Sequence, residues 1–183
     1  VATSVYATDL DGDGDADVLS SSSQDDKIAW YENLTVNQNG ASSPGSFGTQ
    51  QVITTSPDGP LSVYATDLDG DGDADVLSAS QFDDKVAWCE NLTVNHNGPA
   101  SPGSFGPQQV ITTSADFAQS VYATDLDGDG DADVLSASRD DDKIVCYENW
   151  MSSPVLVGAA EATPLSGALG FAGGTFKSGD NLR

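Results

Sequence analysis

The feature that most constrains the fold is an internal repeat. The run VYATDLDGDGDADVLS occurs three times without a change, at residues 5–20, 63–78 and 121–136, with a period of 58 residues. Self-similarity at a fixed period of this size is typical of chains built from one supersecondary unit copied in series. The sequence therefore divides into repeat 1 (residues 1–58), repeat 2 (59–116), a shorter repeat 3 (117–150) and a C-terminal tail (151–183).

Each repeat has the pattern of a small β-sheet. Four short segments are rich in Val, Ile, Tyr, Trp and Thr and are bounded by Gly, Asp, Asn or Pro: SVYATDL, ADVLSAS, KIAWYENL and QQVITT. No segment of the repeat has a helical pattern. Four strands are the content of one β-propeller blade, so the predicted fold is all-β, with three four-stranded antiparallel blades.

The third blade is incomplete in sequence. No counterpart of QQVITT follows Asn149, so we expect its fourth strand to be missing or replaced. The tail is rich in Gly, Ala and Ser and carries few charges. PVLVG near its start could supply a strand, but this composition favours a flexible tail.

Alternating aspartates separate the first two strand segments of each repeat. Loops of the form D-x-D-x-D-G-x-x-D bind Ca²⁺ through side-chain oxygens at positions 1, 3, 5 and 9 and a backbone carbonyl at position 7, with Gly at position 6 for the sharp turn. Counted from Asp9, the glycine at position 6 is Gly14. The pattern thus predicts three calcium sites. The side-chain ligands would be Asp9, Asp11, Asp13 and Asp17; Asp67, Asp69, Asp71 and Asp75; and Asp125, Asp127, Asp129 and Asp133, with the carbonyls of Asp15, Asp73 and Asp131.

The charge of the chain supports a cation in these loops. It has 29 acidic and 6 basic residues, a net charge of -23, and 15 of the acids lie in the three loops. Crowded carboxylates repel one another unless a cation lies between them. The same charge argues against nucleic acid and anionic membranes as partners. We also expect no membrane insertion, since no uninterrupted apolar run of membrane-spanning length occurs.

Other interpretations of the loops are weaker. Zinc sites usually use His or Cys, and Mg²⁺ prefers a tight octahedron, so oxygen ligands in a flexible loop favour Ca²⁺. An EF-hand needs a Glu at position 12 and flanking helices, whereas position 12 is serine here and the flanks are β-formers. Solvated turns remain an alternative, because Asp and Gly are the usual turn residues.

Several residues outside the loops also vary or recur with the repeat. Cys89 replaces a repeated tyrosine and Cys146 replaces a repeated tryptophan, so both are interpreted as core substitutions. Asn33 and Asn91 begin Asn-Leu-Thr sequons, which makes them candidate N-glycosylation sites if the source is a secretory eukaryote. The remaining repeated aromatics are predicted to be core between blades, with sugar stacking as the alternative: Tyr6, Tyr64, Tyr122, Trp30 and Trp88.

The chain resembles the FG-GAP or VCBS repeat family, the blades of integrin-α-type propellers. The resemblance covers residues 1–150 and rests on DLDGDGDADVLSAS, the WYEN segment of residues 30–33 and the pairs Phe47-Gly48 and Phe105-Gly106. It implies a propeller with calcium in rim loops, placed outside the cell or on its surface. It also implies adhesion, binding of a protein or glycan, or service as a scaffold attached to an enzyme.

Three repeats are fewer than the roughly four to eight blades of a closed propeller, which favours further blades in a longer chain or self-association. The start at Val1 likewise favours a fragment or a processed product. We expect a calcium-binding adhesion, ligand-binding or structural module and not an enzyme, because no catalytic constellation is evident. The alternative is the propeller part of a polysaccharide-degrading enzyme.

Overall fold

A computed structural model describes residues 1–35, 45–93 and 103–149, together with the backbone of residues 171–177. In this part of the chain every regular element is a β-strand. The strands are β1 Ala2–Thr8, β2 Asp17–Ser22, β3 Lys27–Tyr31, β4 Gln51–Thr54, β5 Pro60–Thr66, β6 Asp75–Ser80, β7 Lys85–Cys89, β8 Gln109–Thr112, β9 Ala118–Thr124, β10 Asp133–Ser138, β11 Lys143–Asn149 and β12 Phe171–Lys177.

The strands form three antiparallel four-stranded sheets, one for each repeat. The strand orders are β1-β2-β3-β4, β5-β6-β7-β8 and β9-β10-β11-β12. The first two sheets have the same register, since Tyr6 pairs with Leu19 where Tyr64 pairs with Leu77. The prediction of an all-β fold with three four-stranded blades is confirmed.

The fourth strand of the third sheet corrects the expectation of a flexible tail for residues 171–177. Strand β12 lies in the tail and pairs with β11 from Lys143 opposite Lys177 to Asn149 opposite Phe171. An edge strand carries a row of backbone donors and acceptors that favours pairing with any extended segment. The tail therefore replaces the missing QQVITT strand through residues 171–177, whereas PVLVG lies outside the described residues.

Successive sheets pack face to face through apolar clusters that draw side chains from two repeats. Leu10, Ile28 and Trp30 of repeat 1 pack with Val63 and Val76 of repeat 2. An equivalent cluster joins repeats 2 and 3, and it contains Leu68, Leu77, Val86 and Trp88 together with Val121, Ala123, Val134 and Tyr147. The prediction that the repeated tryptophans are core between repeats is confirmed.

The tyrosines and cysteines follow this stacking only in part. Tyr6 and Tyr64 pack against the clusters, whereas Tyr122 is 48% exposed, so the prediction of core is wrong for Tyr122, which has no following repeat in the described chain. The rings of Tyr6 and Tyr64 lie 4.8 Å apart, and those of Tyr64 and Tyr122 lie 4.7 Å apart, so the first strands carry a ladder of tyrosines. Both cysteines are free. Cys89 is buried as predicted, but Cys146 is only half-buried, because it lies on the outer face of the third sheet.

Candidate metal sites in the aspartate loops

A buried aspartate anchors each loop at position 9. One oxygen of Asp17 accepts a hydrogen bond from the Leu10 amide at 2.9 Å and the other accepts one from the Asn33 amide at 2.8 Å. Asp75 and Asp133 have the same two partners in their own repeats, at 2.7 to 2.9 Å. The start of the loop and the segment after the third strand are therefore both attached to the second strand.

The side chain of the first aspartate holds the loop in a tight turn by accepting hydrogen bonds from its backbone. Asp9 Oδ1 accepts a hydrogen bond from the Gly12 amide at 2.8 Å, and Oδ2 accepts one from the Gly14 amide at 2.9 Å. Gly12 and Gly14 have φ angles of 80° and 95°, a backbone conformation that side chains with a Cβ atom rarely adopt. The same bonds and glycine conformations recur in the other two loops.

Carboxylate oxygens converge in every loop. In each group one oxygen from each of three aspartates lies within 4.8 Å of the other two. Calcium binds oxygen at 2.3–2.6 Å, so two ligands of one ion lie at most about 5 Å apart, and this spread fits a single Ca²⁺. The groups are Asp9, Asp11 and Asp13 in loop 1, Asp67, Asp69 and Asp71 in loop 2, and Asp125, Asp127 and Asp133 in loop 3.

The three groups together use positions 1, 3, 5 and 9 of the loop, the positions predicted to bind through side chains. Asp17 and Asp75 lie outside their groups at position 9, as Asp129 does at position 5. In the described part of the chain, no group includes the side chain at position 7, which belongs to Asp15, Asp73 or Asp131.

Loops 1 and 2 hold carboxylates in an environment that disfavours negative charge. Burial raises the pKa of Asp11 to about 6, and the neighbouring charges of Asp17 and Asp13 add to the effect. Burial likewise raises the pKa of Asp69 to about 6, with repulsion from Asp71 as a further cause. A cation among these oxygens would reverse the shift by favouring the ionised form. A set of anionic oxygens within reach of one ion fits a hard divalent cation.

At position 9 of loop 2, the carboxyl pKa is raised further than in Asp11 or Asp69. Burial raises the pKa of Asp75 to about 8, and the charge of Asp69 also raises it, although hydrogen bonds from the amides of Asn91 and Leu68 oppose the shift. This aspartate therefore binds a proton near neutral pH unless a cation takes its place. Its protonation and the filling of loop 2 are thus coupled.

Two equivalent asparagines, Asn91 and Asn149, connect their repeats to the loop of the preceding repeat. Asn91 is also one of the candidate glycosylation sites. The side-chain nitrogen of Asn91 donates to the carbonyl of Leu10, in the loop of repeat 1, at 2.9 Å, and to the carbonyl of Ala74 at 3.1 Å. Asn149 donates in the same way to Leu68, in the loop of repeat 2, at 2.7 Å. Each of these asparagines therefore fastens its own repeat to the loop of the repeat before it.

This arrangement bears on the candidate glycosylation sites. Asn91 is fully buried, and its side-chain nitrogen, to which a glycan would be attached, makes two hydrogen bonds. The sequon at Asn91 is therefore inaccessible in the folded chain. Asn33 is half-buried and donates to the carbonyl of Ala16 at 2.9 Å. A signal for the structural role was present in the sequence, because Asn149 is retained although Met151 removes the sequon.

The turns between the second and third strands provide a further link between repeats. Asp26 Oδ1 accepts a hydrogen bond from the Gly59 amide, and Asp84 Oδ1 accepts one from the Phe117 amide, both at 2.9 Å. Asp26 and Asp84 have φ angles of 51° and 53°, which belong to the left-handed region that aspartate tolerates better than most residues. These turns therefore receive the first strand segment of the next repeat.

Comparison with known proteins identifies part of the chain. Residues 9–78 match the family model described as an FG-GAP-like repeat. The matched segment runs from the first aspartate loop into strand β6 and so contains the first two loops. No curated protein and no solved structure matches the chain. Within the described residues, no helix has the length and apolar character needed to cross a membrane.

Proposed function

Because this chain carries an FG-GAP-like repeat of the β-propeller type, we propose that it is a calcium-stabilised module outside the cell or on its surface. Its role is adhesion, binding of a protein or glycan, or structural support. Three calcium ions, one in each aspartate loop, serve as structural ions. The observation that carries this proposal is the convergence of three carboxylates within 4.8 Å in each of three loops.

A structural role for the ions is supported by the links between loops and repeats. Leu10 lies between two of the proposed ligands of loop 1, and its carbonyl accepts hydrogen bonds from Asn91 and Thr93 of the next repeat. An ion that fixes loop 1 therefore also fixes the acceptor on which repeat 2 docks. Binding of the metal and packing of the repeats are then coupled, so calcium affinity contributes to folding stability.

Placement outside the cell suits this kind of site. Calcium sites in extracellular modules have dissociation constants of about 10⁻⁴ to 10⁻³ M, and a loop of this sort is sufficient for such an affinity. Binding of a protein or glycan is supported by the family resemblance, whereas the chemistry of the ligand is open. Polypeptides and sugars are both candidate ligands for a propeller surface.

A non-enzymatic role is supported by what the acids outside the loops do. Asp25, Asp83 and Asp141 each accept a hydrogen bond from a serine, and each forms an ion pair with a lysine. These pairs stabilise the turn between the second and third strands of each repeat. Three carboxylates outside the aspartate loops thus have structural partners.

Calcium titration tests the proposal directly. Isothermal calorimetry on metal-stripped protein should give three sites per chain, and the melting temperature should rise with calcium and fall in excess chelator. The variants D11N, D69N and D127N should each remove one site. Asp58→Asn, an exposed aspartate outside the loops, is the matched control and should retain all three sites. Absence of binding at millimolar calcium, with the same melt in chelator, would overturn the proposal.

A further inference from the structure

The two interfaces between repeats are built from the same pair of surfaces. We define the exit face as the side of a repeat that packs on the following repeat, and the entry face as the side that packs on the preceding one. Leu10 and Ile28 belong to the exit face of repeat 1, as Leu68 and Val86 do in repeat 2. The entry faces of repeats 2 and 3 contain Val63, Ala65 and Val76, and Val121, Ala123 and Val134.

One exit face and one entry face have no neighbour within the described chain. On the exit face of repeat 3, Leu126 and Ile144 are 49% and 51% exposed, whereas Leu10 and Leu68 are 1% exposed. On the entry face of repeat 1, Val5 is 70% exposed, whereas its equivalents in the other repeats are 5% exposed. The leucines and valines compared here lie in identical sequence, so the difference arises from the neighbouring repeat and not from the residue.

An exposed valine elsewhere in the repeat does not change with the neighbouring repeat. Val52 and Val110, which lie on the fourth strands of repeats 1 and 2, are both 52% exposed although their repeats have different neighbours. That position is therefore solvated whatever lies beside the repeat. Leu126, Ile144 and Val5, by contrast, are apolar side chains at positions that are buried wherever an adjoining repeat is present.

Polar groups of the internal interfaces also have counterparts at the two ends. The Leu10 carbonyl accepts a hydrogen bond from the side-chain amide of Asn91 at 2.9 Å and one from the hydroxyl of Thr93 at 3.2 Å. In the chain as a whole, Leu126 stands at the exit end where Leu10 stands in repeat 1, and Asn33 and Thr35 stand at the entry end where Asn91 and Thr93 stand in repeat 2. The apolar contacts and the hydrogen-bonding groups of one interface are thus divided between the two ends.

We propose that the exit face of repeat 3 binds the entry face of repeat 1 in a second copy of this chain, head to tail, in the geometry of the internal interfaces. Continuity with those interfaces identifies the partner, because each end presents the half that the other end lacks. Tyr6 of the second copy would continue the tyrosine ladder beyond Tyr122. The contacts are apolar side chains and amide hydrogen bonds, with no metal ion between the two copies; because the acceptor carbonyl of Leu126 lies in loop 3, the test is made in calcium.

One substitution makes this contact weaker than the internal ones. Trp30 packs against Gly103 of the next repeat so closely that a Cβ atom on the glycine would lie 2.6 Å from the ring. Cys146 replaces this tryptophan on the exit face of repeat 3, so the large ring is lost there. The association is therefore reversible and depends on protein concentration. A head-to-tail contact can continue into rings or filaments, which a contact between two like faces cannot do.

Two variants that each block one face provide the test. Val5→Asp places a charge on the entry face, and Ile144→Asp places one on the exit face; both positions are exposed in the single chain. Sedimentation velocity in calcium should show wild-type species that grow with concentration. Each variant alone should be a monomer, and an equimolar mixture should form a dimer and nothing larger, because only one intact pair of faces remains. Val110→Asp, the same change at a position that stays exposed beside an adjoining repeat, should associate as the wild type does.

The half-buried Cys146 gives a second measurement that needs no variant. Its reaction with a thiol reagent should slow markedly as wild-type protein is concentrated, while buried Cys89 stays unreactive throughout. A wild-type chain that is monomeric at every concentration, with a constant Cys146 reaction rate, would overturn the proposal. So would a Val5→Asp variant that still associates, since that result indicates contact between like faces, or variants that are folded by circular dichroism but do not pair when mixed.

Discussion

At the scale of single residues, equivalent asparagines make different contacts in different repeats. Asn91 is buried and bonds to the loop of the preceding repeat, whereas Asn33 bonds only within repeat 1. We expect Asn91→Ala to lower the free energy of unfolding by about 1–3 kcal/mol, because the carbonyls of Leu10 and Ala74 lose a buried donor. Asn33→Ala should cost clearly less.

Urea denaturation of dilute protein in saturating calcium measures both effects. The two variants make the same chemical change at equivalent positions, so each serves as the control for the other. Equal losses in the two variants would contradict a role for Asn91 in joining repeats.

The shifted carboxyls predict how stability depends on pH without metal. The pKa of Asp75 is raised to about 8 and that of Asp69 to about 6, so the folded chain retains protons that the unfolded chain, with values near 3.8, has released. Stability from these groups is complete below the unfolded values and is lost as pH rises through the folded ones. In chelator, the melting temperature should therefore fall as the pH rises from the unfolded value of 3.8 to the folded value of about 8.

Calcium should reverse or flatten this trend, because metal binding requires ionised carboxylates and competes with protons. Differential scanning calorimetry at several pH values, with calcium and with chelator, makes the comparison within one protein. A melting temperature that rises steadily with pH in chelator would contradict the assignment of raised pKa values to the loops.

The residues of the loop could be predicted from sequence and the asparagine link could not. The ligands at positions 1 to 9 lie within one short loop, so their spacing alone brings their oxygens together. The partner of Asn91 is Leu10, 81 residues away, and only the stacking of two sheets brings them into contact. The sequon at Asn91 predicts a glycan acceptor and carries no information about this contact.

At the scale of elements, the strands were predictable because each is short, rich in β-formers and bounded by turn residues. Strand β12 was not, because FAGGTFK shares no pattern with QQVIT and lies beyond a stretch of Gly and Ala. What places it is the free edge of β11, a property of the folded sheet that no local sequence signal carries.

Removing the tail tests the contribution of β12. A chain that ends at residue 150 should expose the edge of β11, so hydrogen exchange should become faster at Lys143–Asn149. Stacked repeats contact only their neighbours, so exchange at β3, two sheets away, should change little. Hydrogen-exchange mass spectrometry compares both strands in one sample. Unchanged exchange at β11 would contradict the pairing with β12.

At the scale of the whole molecule, burial depends on position in the array. Val63 and Val121 are buried and Val5 is exposed, although all three lie in the same 16-residue run. Which side chains share a face of the sheet can be predicted from the sequence, since alternation along a strand is local. It could not predict which copies are covered, because identical sequences carry no information about their neighbours.

Replacing each of three equivalent leucines by alanine measures how burial depends on the position of a repeat in the array. Leu10→Ala and Leu68→Ala remove side chains that are 1% exposed, and each should cost about 2–5 kcal/mol, because the loss of a buried leucine leaves a cavity. Leu126→Ala changes a side chain that is 49% exposed and should cost much less in dilute protein.

Urea denaturation at low and high protein concentration should show the cost of L126A increasing with concentration, as the second copy covers the exit face. Equal costs for the three variants in dilute protein would mean that Leu126 is already covered within the single chain. A cost of L126A that does not increase with concentration would count against the head-to-tail contact while leaving the fold of each repeat intact.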